Sequence, residues 1–214
     1  MAFSGVKELS LIATPPVDRL AVRTFVMPFD GVVIREAIMR EHYRGGQCFY
    51  VCPRIKDLPE VEEFLRQHVP EVKFVTAHGR MAPRQLEDVM EAFYDGAYDV
   101  LLSTNIIESG IDMPTVNTLI ADRADLLGLG QLHQLRGRIG RSDKQAYAHF
   151  LYSAPKLTDK SSTRLSHLKF ASSLGDGFKI AHKDMELRGV GQILGRAQSG
   201  RVKSIGLGMY QQLV

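Results

Sequence analysis

Three arginines fall within six residues in the segment Gln131–Ser142, QLHQLRGRIGRS: Arg136, Arg138 and Arg141, spaced by Gly137 and Gly140. A glycine inside a helix costs roughly 1 kcal/mol relative to alanine, so this pair implies a helix end or a close approach of the backbone to something else. The arginines say what that something carries. Their rigid planar forks pair bidentately with phosphate, and two of them aimed at one point neutralise charge developing on a transferring phosphoryl group. The alternative, a basic surface loop, has no use for the glycine spacing.

A second segment, Leu101–Leu119, reads LLSTNIIESGIDMPTVNTL. Ser103, Thr104 and Asn105 cap the turn after an apolar run, where hydroxyls and free N–H groups favour phosphate, and Gly110 permits a close backbone approach. Thr104 taken alone fits simple N-capping as well. Two weaker candidates close other apolar runs: His78-Gly79-Arg80-Met81, where a histidine is as readily structural, and YVCPR, where Arg54 suits either a phosphate or a surface salt bridge.

These residues need a scaffold, and the hydrophobic pattern supplies one. The run AVRTFVMPF reads as an edge strand entered from a linker containing Pro15-Pro16. Residues 32–44 read as a helix stopped by Gly45-Gly46, followed by a buried strand from Cys48 to Cys52. Leu58–His68 is a helix with Pro59 in its first turn, Val72–Thr76 a strand, and Pro83–Tyr94 a helix with Leu86, Val89, Met90 and Phe93 on one face. Strands follow within 96–104, at 117–121 and at 146–152, with a helix from Leu132 to Ile139 between the last two. Such alternation gives an α/β, doubly wound parallel sheet flanked by helices, in which ligands gather at the carboxyl ends of the strands. Beyond Pro155 the pattern changes to two helices, 161–173 and 178–188, and a glycine-spaced tail, a small helical appendage.

The arginine segment resembles motif VI of superfamily 2 helicases and translocases, and Leu101–Leu119 is similar to their motif V. The resemblance implies a RecA-like fold. It also makes Arg138 and Arg141 arginine fingers on the γ-phosphate of ATP, with Gln134, Gly110 and Asp112 beside the nucleotide. It further implies DNA-backbone contacts from Thr104, His78, Gly79 and Arg54. In the appendage Phe178, Ala181, Asp184, Leu187, Arg188 and the following glycines resemble the translocation motif shared by bacterial branch-migration helicases and transcription-repair coupling factors. Arg164, Arg188 and Gln198 match its coupling residues. The opening MAFSGVKELSLIATPP, with HGRM, IIESGID and RGVGQILG in order, favours the coupling factors, although an Ala-Thr-Pro at 13–15 imitates motif III.

The division implied is a connector over 1–29, a RecA-like helicase C-terminal domain over 30–154 and a helical translocation module over 155–214. Neither a GxxxxGK[ST] loop nor an Asp-Glu pair for Mg²⁺ occurs in these 214 residues, so the chain reads as half of an ATPase, inactive alone. ATP with Mg²⁺ would be held mainly by a first motor domain, and no metal site is expected here. Double-stranded DNA is the expected partner, with RNA polymerase and nucleotide-excision repair proteins engaged through other domains. The alternatives are the corresponding domain of a branch-migration helicase, or a non-catalytic nucleic-acid-binding module.

Composition agrees with these expectations. With 44% hydrophobic and 24% charged residues the chain can build a core, which excludes disordered and collagenous classes. No apolar run is long enough to span a bilayer and no signal peptide opens the chain, so a soluble cytoplasmic protein is expected. Cys48 and Cys52 lie about 13 Å apart along one strand, too far for a disulfide, and read as buried thiols. The net charge of +3 divides unevenly: residues 1–130 hold 13 Lys and Arg against 19 Asp and Glu, residues 131–214 hold 14 against 5. A basic C-terminal third fits a polyanionic partner or a solvated basic face.

Overall fold

The computed structural model describes residues 20–104 and 113–153, with residues 163, 165 and 166. Six strands lie in one sheet: β1 (Arg23–Pro28), β2 (Gln47–Val51), β3 (Phe74–Ala77), β4 (Val100–Ser103), β5 (Val116–Ala121) and β6 (Tyr147–Tyr152). Every neighbouring pair is parallel, in the order β1-β6-β5-β2-β4-β3. Four helices cover the faces: α1 (Gly31–Tyr43), α2 (Leu58–His68), α3 (Pro83–Tyr94) and α4 (Leu129–Arg136). This is the doubly wound, RecA-like architecture that the alternating pattern implies.

Each side chain's face follows from the two-residue repeat of a strand. On β2, Cys48, Tyr50 and Cys52 point into a core shared with Ile34 and Ile38 of α1 and with Leu58, Val61 and Leu65 of α2. Phe49 and Val51 point the other way, into a core built with Phe93 of α3 and Leu129, Leu132 and Leu135 of α4. Being covered on both faces, β2, β4 and β5 are buried throughout, with Asn117 and Thr118 of β5 buried as polar residues among the apolar ones. Both cysteines are free and buried, and burial pushes both thiols up, keeping them protonated.

Local chemistry sets most of the boundaries. Asp30 caps α1 by accepting from the backbone N–H groups of Val32 (2.9 Å) and Val33 (3.3 Å), and Gly45 ends the helix with φ +70°. α2 and α3 occupy the spans their patterns predict. α4 does not: it begins at Leu129 rather than Leu132, because the Gln131 side chain accepts from the Gly128 N–H (3.0 Å), and it ends at Gly137. β3 begins at Phe74 rather than Val72, whose N–H closes a turn onto the Val69 carbonyl (3.3 Å).

Residues 1–19 and, apart from 163, 165 and 166, all of 154–214 fall outside the described residues, including the second appendage helix, most of the first, and Arg164, Arg188 and Gln198. Leu165 is described, and it is buried in the core on the α3/α4 face.

Candidate functional site

The candidate residues separate onto opposite edges of the sheet. At the carboxyl edge, β3 runs into His78, β4 into Thr104, and β2 into the turn that carries Arg54. The Thr104 N–H donates to the Ala77 carbonyl (3.3 Å), fixing the hydroxyl-bearing residue beside the end of β3. His78 is half-buried and opens a tight turn: its N–H meets Met81 Sδ (3.3 Å), its carbonyl accepts from the Met81 N–H (3.1 Å), and Gly79 and Arg80 are exposed at the tip. Arg54 forms a two-point ion pair with Asp57, Nε to Oδ2 at 2.8 Å and a terminal nitrogen to Oδ1 at 3.1 Å. Of the two readings its sequence allowed, the salt bridge is the one present, and a phosphate there would have to share or replace Asp57.

The arginine loop lies at the other edge. Leu129, Leu132 and Leu135 anchor α4 in the core, leaving Gln134 exposed on its outer side. Arg136 is buried, with a terminal nitrogen 3.1 Å from His133 Nδ1. After the Gly137 cap the chain passes through half-buried Arg138 and exposed Arg141 to the amino end of β6. Gly140 has φ +74°, and a Cβ there would meet Val22 Cγ2 at 3.1 Å and Ala146 Cβ at 3.2 Å. Gly137 therefore stands at a helix end, whereas the close approach at Gly140 is to the apolar side chains of Val22 and Ala146 and not to an anion.

Arg138 and Arg141 belong to the loop that enters β6 at its amino end, opposite the carboxyl edge at which strand-end reasoning gathers ligands. The six residues of β5 separate the two edges by about 20 Å. Gly110 and Asp112, with Asn105, lie outside the described residues.

Two further features escaped the sequence. Asp122 and Arg123 follow β5 at the carboxyl edge, between the strands whose helices leave to opposite faces. The Asp122 carboxylate is pushed up to about 6, chiefly by burial, with the carboxylates of Glu60 and Asp57 adding to it and the Arg123 N–H opposing it (2.9 Å). Arg123 has φ +48°, the one non-glycine residue in the left-handed region among those described. No local sequence signal marks that strain. The second feature is Glu41, fully buried in the last turn of α1. It had a signal: it continues the stripe of Ile34, Ala37 and Ile38, where a carboxylate is out of place, and it opposes the helix dipole.

Among the described residues no helix is long and apolar enough to cross a membrane, and no group of three metal-ligating side chains occurs. Comparison with known proteins gives concordant results. Residues 32–143 match the helicase conserved C-terminal domain family. A transcription-repair-coupling factor of Rickettsia prowazekii (strain Madrid E) is 52% identical across the whole chain, which covers 19% of that protein. That of Myxococcus xanthus is 51% identical, again across the whole chain and 18% of the relative. The chain thus spans about a fifth of the length of the curated relatives it matches. Among solved structures, RecG bound to a three-way DNA junction superposes with a TM-score of 0.69 and 38% identity, over 83% of this chain and 24% of RecG.

Proposed function

Because the chain belongs to the helicase conserved C-terminal domain family, we propose that it is the second motor domain of an ATP-driven translocase on double-stranded DNA. The full protein would be of the transcription-repair coupling type, acting in the cytoplasm to displace stalled RNA polymerase. The observation that carries this reading is the two-edged layout. A loop of arginines on one edge and a row of strand-end polar residues on the other let one domain meet a nucleotide and a nucleic acid at once. Identity of 52% over the whole chain, against 38% over part of it for RecG, favours the coupling-factor reading over the branch-migration one.

The residues fit ATP by their donor chemistry. Arg138 and Arg141 present guanidinium forks, the geometry for a γ-phosphate bound on a facing domain, and their charge counts most as negative charge develops in the transition state. Gln134 lies one turn before Arg138 on the exposed side of α4, and Gly110 and Asp112 complete the nucleotide side. ATP with Mg²⁺ would be held mainly by the first motor domain, so this chain alone would be inactive. Thr104, His78 and Gly79, with Arg54 once it leaves Asp57, would contact DNA phosphates. Arg164, Arg188 and Gln198 would couple hydrolysis to movement. The burial of Leu165 in the core beside α4 supports this, since it ties the residue after Arg164 to the layer that carries the arginine loop. RNA polymerase and nucleotide-excision repair proteins would be engaged by other domains.

The test is steady-state kinetics of the full-length protein. Arg138→Ala or Arg141→Ala should lower kcat by about 10³ to 10⁵, with a much smaller change in KM for ATP. Wild-type turnover in either variant would remove that residue from the assignment.

A further inference from the structure

The arginine loop is gripped from both faces of the sheet, on one of them by side chains outside the helicase-like motifs, and we infer that Glu41 and Arg44 are positioning residues for Arg138 and Arg141. The inference rests on the reading of those two arginines as fingers. Glu41 Oε2 accepts from the Thr118 hydroxyl (2.7 Å) and from the Arg44 guanidinium. Arg44 passes the grip on: a terminal nitrogen donates to the Gln145 carbonyl (3.0 Å), and its own carbonyl accepts from Lys144 Nζ (3.0 Å). Two consecutive residues of the loop's returning limb are thereby fastened to the end of α1. On the other face Ser142 donates to Asn117 Oδ1 (2.8 Å) and accepts from the Lys144 N–H (3.3 Å). Gln145 Nε2 donates to the Ala21 carbonyl (2.7 Å).

Adjacent residues of β5, Asn117 and Thr118, thus hold the loop from opposite faces. The strand that closes the motif V-like segment is the strut for the motif VI-like one.

Stability does not explain Glu41. Its carboxylate is fully buried at the negative end of a helix dipole, and a buried ion pair is often matched or bettered by apolar residues of similar volume. The surroundings are nevertheless shaped around it: a Cβ on Gly46 would lie 2.0 Å from Glu41 Oε1, so the carboxylate dictates glycine there. What the pair supplies is a fixed path for residues 137–146. Arginine fingers need that, because a misplacement of about 1 Å can cost on the order of 100-fold in rate.

The test uses the full-length protein, with DNA-stimulated ATPase kinetics and binding of ADP–tetrafluoroaluminate as a transition-state probe. Arg44→Met should lower kcat by about 10- to 100-fold, leave KM for ATP within about threefold, and weaken the probe while ADP binding holds. In an Arg138→Ala/Arg141→Ala background the same change should add little, since both groups it positions are gone. Because Arg44→Met strands the Glu41 charge, the double variant Glu41→Leu/Arg44→Met is the control for folding: it should keep or raise Tm and still show the low kcat. Full turnover in Glu41→Leu/Arg44→Met, or an undiminished further loss on top of Arg138→Ala/Arg141→Ala, would overturn the positioning role while leaving the finger reading intact. Wild-type turnover in both Arg138→Ala and Arg141→Ala would overturn both.

Discussion

Asp122 and His149 are both ionisable groups whose burial opposes their charge, and they tilt stability in opposite directions with pH. His149, on β6, stacks on Phe25 at 5.0 Å between ring centroids, and burial, aided by the Arg40 cation, pushes its imidazole down to about 4. Between pH 6.5 and 4 the unfolded chain therefore takes up a proton that the folded chain refuses. Stability should fall by on the order of 3 kcal/mol across that window as pH drops. Urea unfolding at pH 7 and pH 4.5 checks this, and His149→Phe, which cannot titrate, should flatten the difference. For Asp122 the sign reverses. Raised to about 6, the folded carboxyl binds a proton better than the unfolded one, so stability falls as pH rises from about 4 to 6. Asp122→Asn should stabilise the chain at pH 8 by about 1–2 kcal/mol, after allowing for its partial exposure, and by nothing at pH 3. Equal effects at both pH values would mean that the carboxylate's charge is not what costs stability. At this scale the sequence was legible where a residue breaks its local rule, as Gly137 and Gly140 do. Asp122 breaks no such rule, and what raises its carboxyl is burial together with Glu60 and Asp57, far from it in sequence.

Among elements, α2 and α3 were readable to the residue, because proline opens each and an apolar stripe runs its whole length. α4 was misplaced by three residues, since its start depends on a side-chain bond from Gln131 rather than on periodicity. The described part of the appendage contributes Leu165 to the core at 3% exposure. Leu165→Ala should cost about 2–5 kcal/mol in denaturant unfolding, and a loss under about 0.5 kcal/mol would mean that this element does not dock. If docking carries the coupling, Arg164→Ala, Arg188→Ala and Gln198→Ala in the full-length protein should hydrolyse ATP yet fail to displace a triplex strand or a stalled polymerase. Hydrolysis and displacement falling together would make the element purely structural.

For the whole molecule, the parallel class followed from strand–helix alternation, whereas the strand order did not. Which strand neighbours which is decided by distant pairings such as Thr118 with Tyr147, and no local pattern encodes them. The separation of the arginine loop from the strand-end residues needed no such pairing, since a loop between a helix and the strand that follows it lies at the amino edge of a parallel sheet. The charge asymmetry, by contrast, was plain in the sequence, and it sets the expected DNA affinity. If basic residues of the C-terminal third neutralise three phosphates, a fourfold rise in salt should weaken binding roughly 40-fold, whatever the DNA sequence. Fluorescence titrations at two salt concentrations decide it, and a flat response would rule out backbone-driven binding.

The edge position of β1 also has a consequence for how the chain is made. β1 is made more than a hundred residues before β6, the last strand among the described residues, and pairs with it along its whole length, from Arg23 with Tyr147 to Pro28 with Tyr152. At ribosomal speeds of about 5–20 residues per second, β1 waits on the order of 10 s for its partner, with Phe25 and Phe29 uncovered by the rest of the sheet. A nascent chain arrested before residue 147 should leave β1 open to proteases, whereas one released past residue 152 should protect it. Synthesis from the amino end thus makes β1, the earliest of the six described strands, the last of them to be locked in place.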